Sequence, residues 1–177
     1  MKIRSVILAF YLAVFLAAGL ICRQRRRRID MRPIRRMELA RYMGLWHEIA
    51  RYELPFDRRL DDIETRYTLR PDGRIEAHTT GTDLRNGRRG TIRHEIYRTT
   101  PNGRLRVTVF GFFHTDYRIL ELDDAYQWAL VGSSMPLRLH ILAREPHLNR
   151  ATFRHIVSLA ERRGYTLDRL RLLQTPQ

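Results

Sequence analysis

Pro71-Asp72-Gly73-Arg74-Ile75-Glu76-Ala77-His78-Thr79 decides the fold class. Proline presets φ for the first corner of a tight turn, and glycine takes the left-handed position that a Cβ disfavours. The residues that follow alternate, with Ile75, Ala77 and Thr79 on one side and Arg74, Glu76 and His78 on the other. A period of two is the mark of a strand with one enclosed face and one wet face. Outward from this stretch the pattern repeats. Pro101-Asn102-Gly103 and Asn86-Gly87 are further turns, and Asp123-Asp124 parts two more runs. Leu105, Val107 and Val109 alternate with Arg104, Arg106 and Thr108. Eight runs are predicted as strands: Leu45–Tyr52, Ile63–Leu69, Arg74–Gly81, Thr91–Arg98, Leu105–Phe110, Tyr117–Leu122, Trp128–Gly132 and Leu137–Ala143. Short strands at nearly even spacing read as an antiparallel sandwich or barrel. One helix follows. Asn149 is its N-cap, Phe153, Ile156, Val157 and Ala160 form its apolar stripe, Arg162 and Arg163 suit its C-terminal end, and Gly164 stops it. Leu167–Leu173 adds a last short strand.

The chain has 177 residues and a formal net charge of +14, with 33 basic against 19 acidic residues. The charge is uneven. Eight arginines and one acid lie between Arg23 and Arg36, whereas from Met37 onward 23 basic residues face 18 acidic ones. Two readings of the arginine run stand: a solvated juxtamembrane segment, or contact with anionic lipid head groups. Aromatic residues do not interleave with these arginines, so nucleic acid is not an expected partner. Ahead of them, Lys2 and Arg4 precede the apolar run from Val6 to Ile21, and Cys22 follows. Sixteen residues is long for a signal-peptide core and short for a span of about 20. The segment is a lipoprotein signal with Cys22 as the acylation site, an uncleaved signal anchor, or else a misassigned start or plain signal peptide. In each case it is a membrane address outside the core. The expected organisation is therefore a signal or anchor over 1–22, an arginine-rich linker over 23–36 and a barrel with its helix over 37–177. A lone cysteine excludes an intramolecular disulfide and a cysteine-based zinc site.

Three local patterns, in order, resemble the lipocalin family. They are Gly44-Leu45-Trp46, opening Gly44 to Arg51 like the family's G-x-W strand; Thr115-Asp116-Tyr117, like its T-D-Y element before a strand; and Arg144, closing Leu139 to Ala143. Leu122-Asp123 with Tyr126, Ala129-Leu130-Val131 and Arg144-Glu145-Pro146 resemble the bacterial outer-membrane lipoprotein lipocalins, although the residue before Cys22 is Ile21 where a lipobox has a small one. The resemblance implies an eight-stranded up-and-down antiparallel barrel with one C-terminal helix packed outside. It also implies that Trp46 plugs the closed end beneath Arg144 and that Gly44, Trp46, Thr115, Asp116 and Arg144 are structural. The implied cargo is a fatty acid or lysophospholipid, and the implied location is the bacterial cell envelope.

An eight-stranded barrel has room for one small ligand. Counting by twos from Trp46 and back from Arg144, the expected pocket residues are Glu48, Ala50, Tyr67, Ala77, His94, Ile96, Val107, Tyr117, Trp128, Leu130, His140 and Leu142. A β-bulge would shift any of them by one. Glu48 would then need a partner, a histidine or a ligand head group. No cofactor is expected, and the oligomeric state is left open, with a homodimer compatible. Two other function classes are weighed, beside a haem-binding barrel with His94 or His140 as axial ligand. For an enzyme, Ser133, Ser134 and Ser158 sit in no G-x-S-x-G elbow, and the seven histidines lack metal-binding spacing. The other is a partner-binding envelope protein with a filled barrel.

Overall fold

The computed structural model describes residues 29–53, 59–98, 102–109, 113–133 and 138–174. The apolar run from Val6 to Ile21, Cys22 and the arginines from Arg23 to Arg28 lie outside them. Among the described residues no helix is long and apolar enough to cross a membrane.

A one-turn helix α1 (Leu39–Tyr42) leads into β1 (Gly44–Tyr52). Seven strands follow: β2 (Leu60–Leu69), β3 (Ile75–Asp83), β4 (Arg88–Arg98), β5 (Arg104–Val109), β6 (Phe113–Leu122), β7 (Trp128–Ser133) and β8 (Arg138–Ala143). Each pairs antiparallel with its neighbour in sequence, and β8 returns to β1. Pairing of β1 with β2, from Gly44 opposite Tyr67 to His47 opposite Glu64, closes the ring. Closure leaves no free sheet edge among these eight strands, which is how a barrel avoids edge-to-edge association. Helix α2 (Arg150–Arg162) comes next, and β9 (Leu170–Leu172) pairs with β1 at Ala50–Tyr52.

The turns carry the chemistry read from the sequence. Gly73 N donates to Arg70 O at 3.0 Å, and Asp72 Oδ1 accepts from Arg74 N at 3.1 Å. Gly87 has φ of +66°, and its N donates to Asp83 O at 2.8 Å. Asn149 caps α2, its Oδ1 accepting from Thr152 N at 2.8 Å, and Gly164 stops the chain beyond it at φ of +94°. Helix α2 lies against the barrel exterior: Ile156 and Ala160 are buried, His155 meets Trp128 edge-on at 5.8 Å, and Arg163 donates to Leu120 O at 2.6 Å.

Several strands run longer than the sequence reading, β2 starting at Leu60, β3 ending at Asp83 and β4 starting at Arg88. Strand β6 begins at Phe113, so Thr115 and Asp116 lie inside it, because β5 pairs with its first six residues, from Val109 opposite Phe113 to Arg104 opposite Arg118. The segment expected as linker up to Arg36 also reaches the barrel. Ile34 N donates to Ile119 O at 2.9 Å, Gly103 N donates to Ile34 O at 3.2 Å, and the Ile34 side chain packs on the core. Residues Met31–Gln177 form one compact unit.

The barrel lumen as candidate site

The Trp46 end is filled. Gly44 turns the chain into β1 at φ of +98°, and a Cβ there would come within 3.2 Å of Arg144 Nη1. Trp46 is fully buried, and its Nε1 donates to Tyr42 O at 2.8 Å. The Arg144 guanidinium lies 4.0 Å from the Trp46 ring centre, a cation–π geometry. The same guanidinium donates to Leu45 O at 2.8 Å, to Arg41 O at 2.7 Å and to Tyr126 O at 3.3 Å. Beside Trp46, three phenols share hydrogen bonds: Tyr117 Oη lies 2.8 Å from Tyr42 Oη and 3.0 Å from Tyr67 Oη. Burial holds Tyr42 and Tyr117 well above the usual phenol pKa and pushes Tyr67 to about 12, so all three stay protonated.

Register decides which other side chains face inward. Tyr67 opposes Ala77, Ala77 opposes His94, Ile96 opposes Val107 and Leu105 opposes Tyr117. Tyr67, Ala77, Ile96, Leu105 and Leu142 belong to the buried core with Trp46, and Val107 and Tyr117 pack against it. His94 is half-buried, and burial lowers its pKa, favouring the neutral ring. Thr115 lies opposite Val107, and its hydroxyl is 3.2 Å from Ser133 Oγ. Asp116, on the other face of β6, pairs with Arg118 and with Arg104 at 3.9 Å.

Three expected pocket residues face the other way. Ala50 is displaced by a bulge. The register of β1 shifts between Glu48 and Ala50, so that Glu48 opposes Leu142, Ala50 opposes Ile141 and Arg51 opposes His140. Beyond the bulge Arg51, and not Ala50, shares the inward face with His140. Trp128 and Leu130 face α2. The core residues of β7 are Ala129, opposite Leu142, and Val131, opposite His140. A Cβ on Gly132 would meet Tyr165 Oη at 2.7 Å, which places the even-numbered positions of β7 under the C-terminal segment. Every residue from Ala129 to Val131 is apolar and buried, because β7 is covered on both faces. The sequence therefore shows no alternation there, and counting from Trp128 picks the wrong side.

The lumen also holds charge. Glu48 is 6% and Arg51 3% exposed. The Glu48 carboxylate pairs with His140 Nδ1 and accepts from Arg51 Nη1 at 3.4 Å, while Arg51 Nη2 donates to Leu60 O at 3.2 Å. Burial alone would push the Glu48 carboxyl up. His140, then Arg51 and Arg138, outweigh it and hold the carboxyl below its usual value. Glu48 and His140 were among the expected pocket residues; Arg51 and Arg138 were not. No residue pattern announces the bulge that turns Arg51 inward.

A closed eight-stranded antiparallel barrel, plugged at one end, with a mostly apolar interior and a single helix outside, has the architecture of the small-ligand-binding barrels. The chain belongs to the lipocalin family: residues 37–175 match the family's lipocalin-like domain. It is 30% identical to the outer membrane lipoprotein Blc of Escherichia coli K12, over 81% of this chain and 82% of that protein. Identity to the protein of the same name from Vibrio cholerae is 29%, over 82% and 86%. Identity to temperature-induced lipocalin-1 of Arabidopsis thaliana is 32%, over 84% and 83%. Among solved structures, insecticyanin of the tobacco hornworm superposes with a TM-score of 0.69 at 15% identity, covering 84% of this chain and 86% of that one, a likeness of fold alone. Lipocalins are generally binding and transport proteins for small hydrophobic ligands rather than enzymes.

Proposed function

We propose that this protein carries an amphiphilic lipid, a fatty acid or a lysophospholipid, inside its barrel. It does so at the bacterial cell envelope, tethered through its N-terminal segment. The observation that carries this reading is the make-up of the lumen wall. Ala77, Ile96, Val107, Val131 and Leu142 give it an apolar surface, and the buried Glu48 and Arg51, with the part-buried His140, sit toward the end opposite Trp46. Such a wall suits a molecule with a greasy tail and one polar end. The envelope location rests on the relatives named outer membrane lipoproteins and on Cys22 directly after an apolar run. The reading includes no catalysis, in keeping with a family that generally binds and transports rather than reacts.

Native mass spectrometry of the purified full chain tests this. A carrier brings along lipid mass that organic extraction removes and added fatty acid restores. Leu142→Trp, placed in the core opposite Ala129, fills the lumen and abolishes uptake while circular dichroism stays that of a barrel. A protein that never acquires lipid mass and shows no tryptophan fluorescence change with fatty acid contradicts the proposal.

A further inference from the structure

We infer that a polar ledge in the barrel wall, made by His94, Thr79 and Thr65 around Ala77, receives a neutral hydroxyl carried on the acyl chain of the cargo. The inference rests on the carrier reading and adds to it that the chain is hydroxylated.

The ledge stands where the lumen narrows. The inward side chains of β4 are Ile92, His94 and Ile96, set opposite Thr79, Ala77 and Ile75. Ile92 is 51% exposed, His94 is part-buried and Ile96 is 2% exposed. An inward isoleucine half open to solvent marks a hollow, and the hollow has closed by Ile96. Ala77 sits between Tyr67 on β2 and His94 on β4. Its single methyl leaves room beside the imidazole.

His94 supplies a polar atom with nothing to bond. Its Nδ1 is shut away from solvent, and among the described residues no group donates to it or accepts from it. Such an atom in a native wall costs free energy until a partner arrives. Ile92, Ile96 and Ala77 beside it have no polar side-chain atom to offer. Burial favours the neutral ring, in which one nitrogen donates and the other accepts.

The threonines extend the polar surface. Thr79 opposes Ile92, so it lies diagonally across the ladder from His94, within reach of the same bound group. Its Oγ1 is 2.9 Å from Thr65 Oγ1. One proton serves that bond, and both oxygens keep acceptor capacity.

Chemistry selects the group. A hydroxyl donates and accepts at once, which matches a neutral imidazole beside two threonine oxygens. A carboxylate or phosphate would give up its water to an uncharged ring and aliphatic neighbours, so the acidic end of a lipid does not suit this ledge. A plain methylene chain leaves Nδ1 unsatisfied. The hydroxyl therefore belongs on the chain and not on the head group.

The test is calorimetry on the full chain with stearic acid and its 2-hydroxy, 10-hydroxy and 12-hydroxy derivatives. At least one hydroxy acid should bind about fivefold tighter than stearic acid, the gain expected from one satisfied buried hydrogen bond. The position that binds tightest reports how far along the chain the ledge lies. His94→Leu should bring the ratio to within about twofold, and Thr79→Val, which keeps the shape and loses the hydroxyl, should lower it in the same direction. Stearic acid binding as tightly as every hydroxy acid overturns the ledge and leaves the carrier reading standing. A preference undiminished in His94→Leu also overturns it, as does one undiminished in Thr79→Val should His94→Leu fail to fold. Failure of all four acids to bind overturns the carrier reading and the ledge together.

Discussion

Arg144 directs its guanidinium at three carbonyls and one ring, those of Leu45, Arg41, Tyr126 and Trp46. Removing it takes a donor from three carbonyl oxygens, two of them in part-buried bonds, beside a fully buried indole. We expect Arg144→Ala to lower unfolding free energy by about 3 kcal/mol in urea titrations. Arg144→Lys should recover less than half of that, since an ammonium is a point donor and cannot span the three carbonyls. Glu48 makes a pH prediction. Its carboxyl titrates below the ordinary value of 4.5 in the folded protein because His140, Arg51 and Arg138 outweigh burial. The stability it contributes is thus complete above the unfolded value and is lost as pH falls through the lower folded value. The urea midpoint should fall more steeply in the unmodified protein than in Glu48→Gln between about pH 5 and pH 3. At pH 7 the same variant should be less stable by about 3 kcal/mol, because the buried Arg51 guanidinium loses the charge of Glu48 beside it. Parallel acid profiles for the two proteins would show that Glu48 is not held ionised. The need for a partner at Glu48 was readable from its place two residues after Trp46. The identity of Arg51 as one of its partners was not, since that depends on a bulge no local sequence rule marks.

Strand β7 shows why inward positions were only partly legible. Where one face is wet, as on β3 and β5, polar residues record the period of two, and Ala77 and Val107 fall on the inward face as counted. Under α2 both faces of β7 are dry, and Ala129, Leu130 and Val131 carry no polar mark. The consequence is a contrast between neighbours. Leu130→Ala should destabilise the barrel by about 2–4 kcal/mol through a cavity beneath the helix, while lipid affinity stays as it was. Denaturation and ligand titration on the same sample check both halves. A loss of affinity at unchanged stability would put Leu130 in the lumen after all. The helix itself was legible from end to end, because its cap, its stripe and its stop are local features, and Asn149 and Gly164 act as read.

The N-terminal approach to the barrel belongs to the whole molecule. Ile34 bonds to β6 and to Gly103, and Arg163 at the end of α2 donates to Arg32 O at 3.0 Å. Residues before Met37 thus tie β5, β6 and the end of α2 together. A chain beginning at Met37 should be less stable than one beginning at Met31 by about 2 kcal/mol, since two backbone hydrogen bonds, the Arg163 bond to Arg32 O and the contacts of a partly buried isoleucine are lost. Equal urea midpoints would contradict this. The arginine-rich composition hid the tie, because Ile34 is one apolar residue among charges and its partners lie 69 and 85 positions further on.

What the amino-acid sequence determined alone is what neighbours along the chain decide: eight strands with their turns, a capped amphipathic helix, and the motifs that place the chain among the lipocalins. Proline and glycine fix turns through their own backbone limits, and alternation records an interface with water. Tertiary structure decided the rest. It put Arg51 inside and Ala50 outside, turned Trp128 and Leu130 to the helix, and drew Ile34 onto the core. These outcomes depend on which strand lies across the ladder and what covers its far side. That information enters only when distant segments meet.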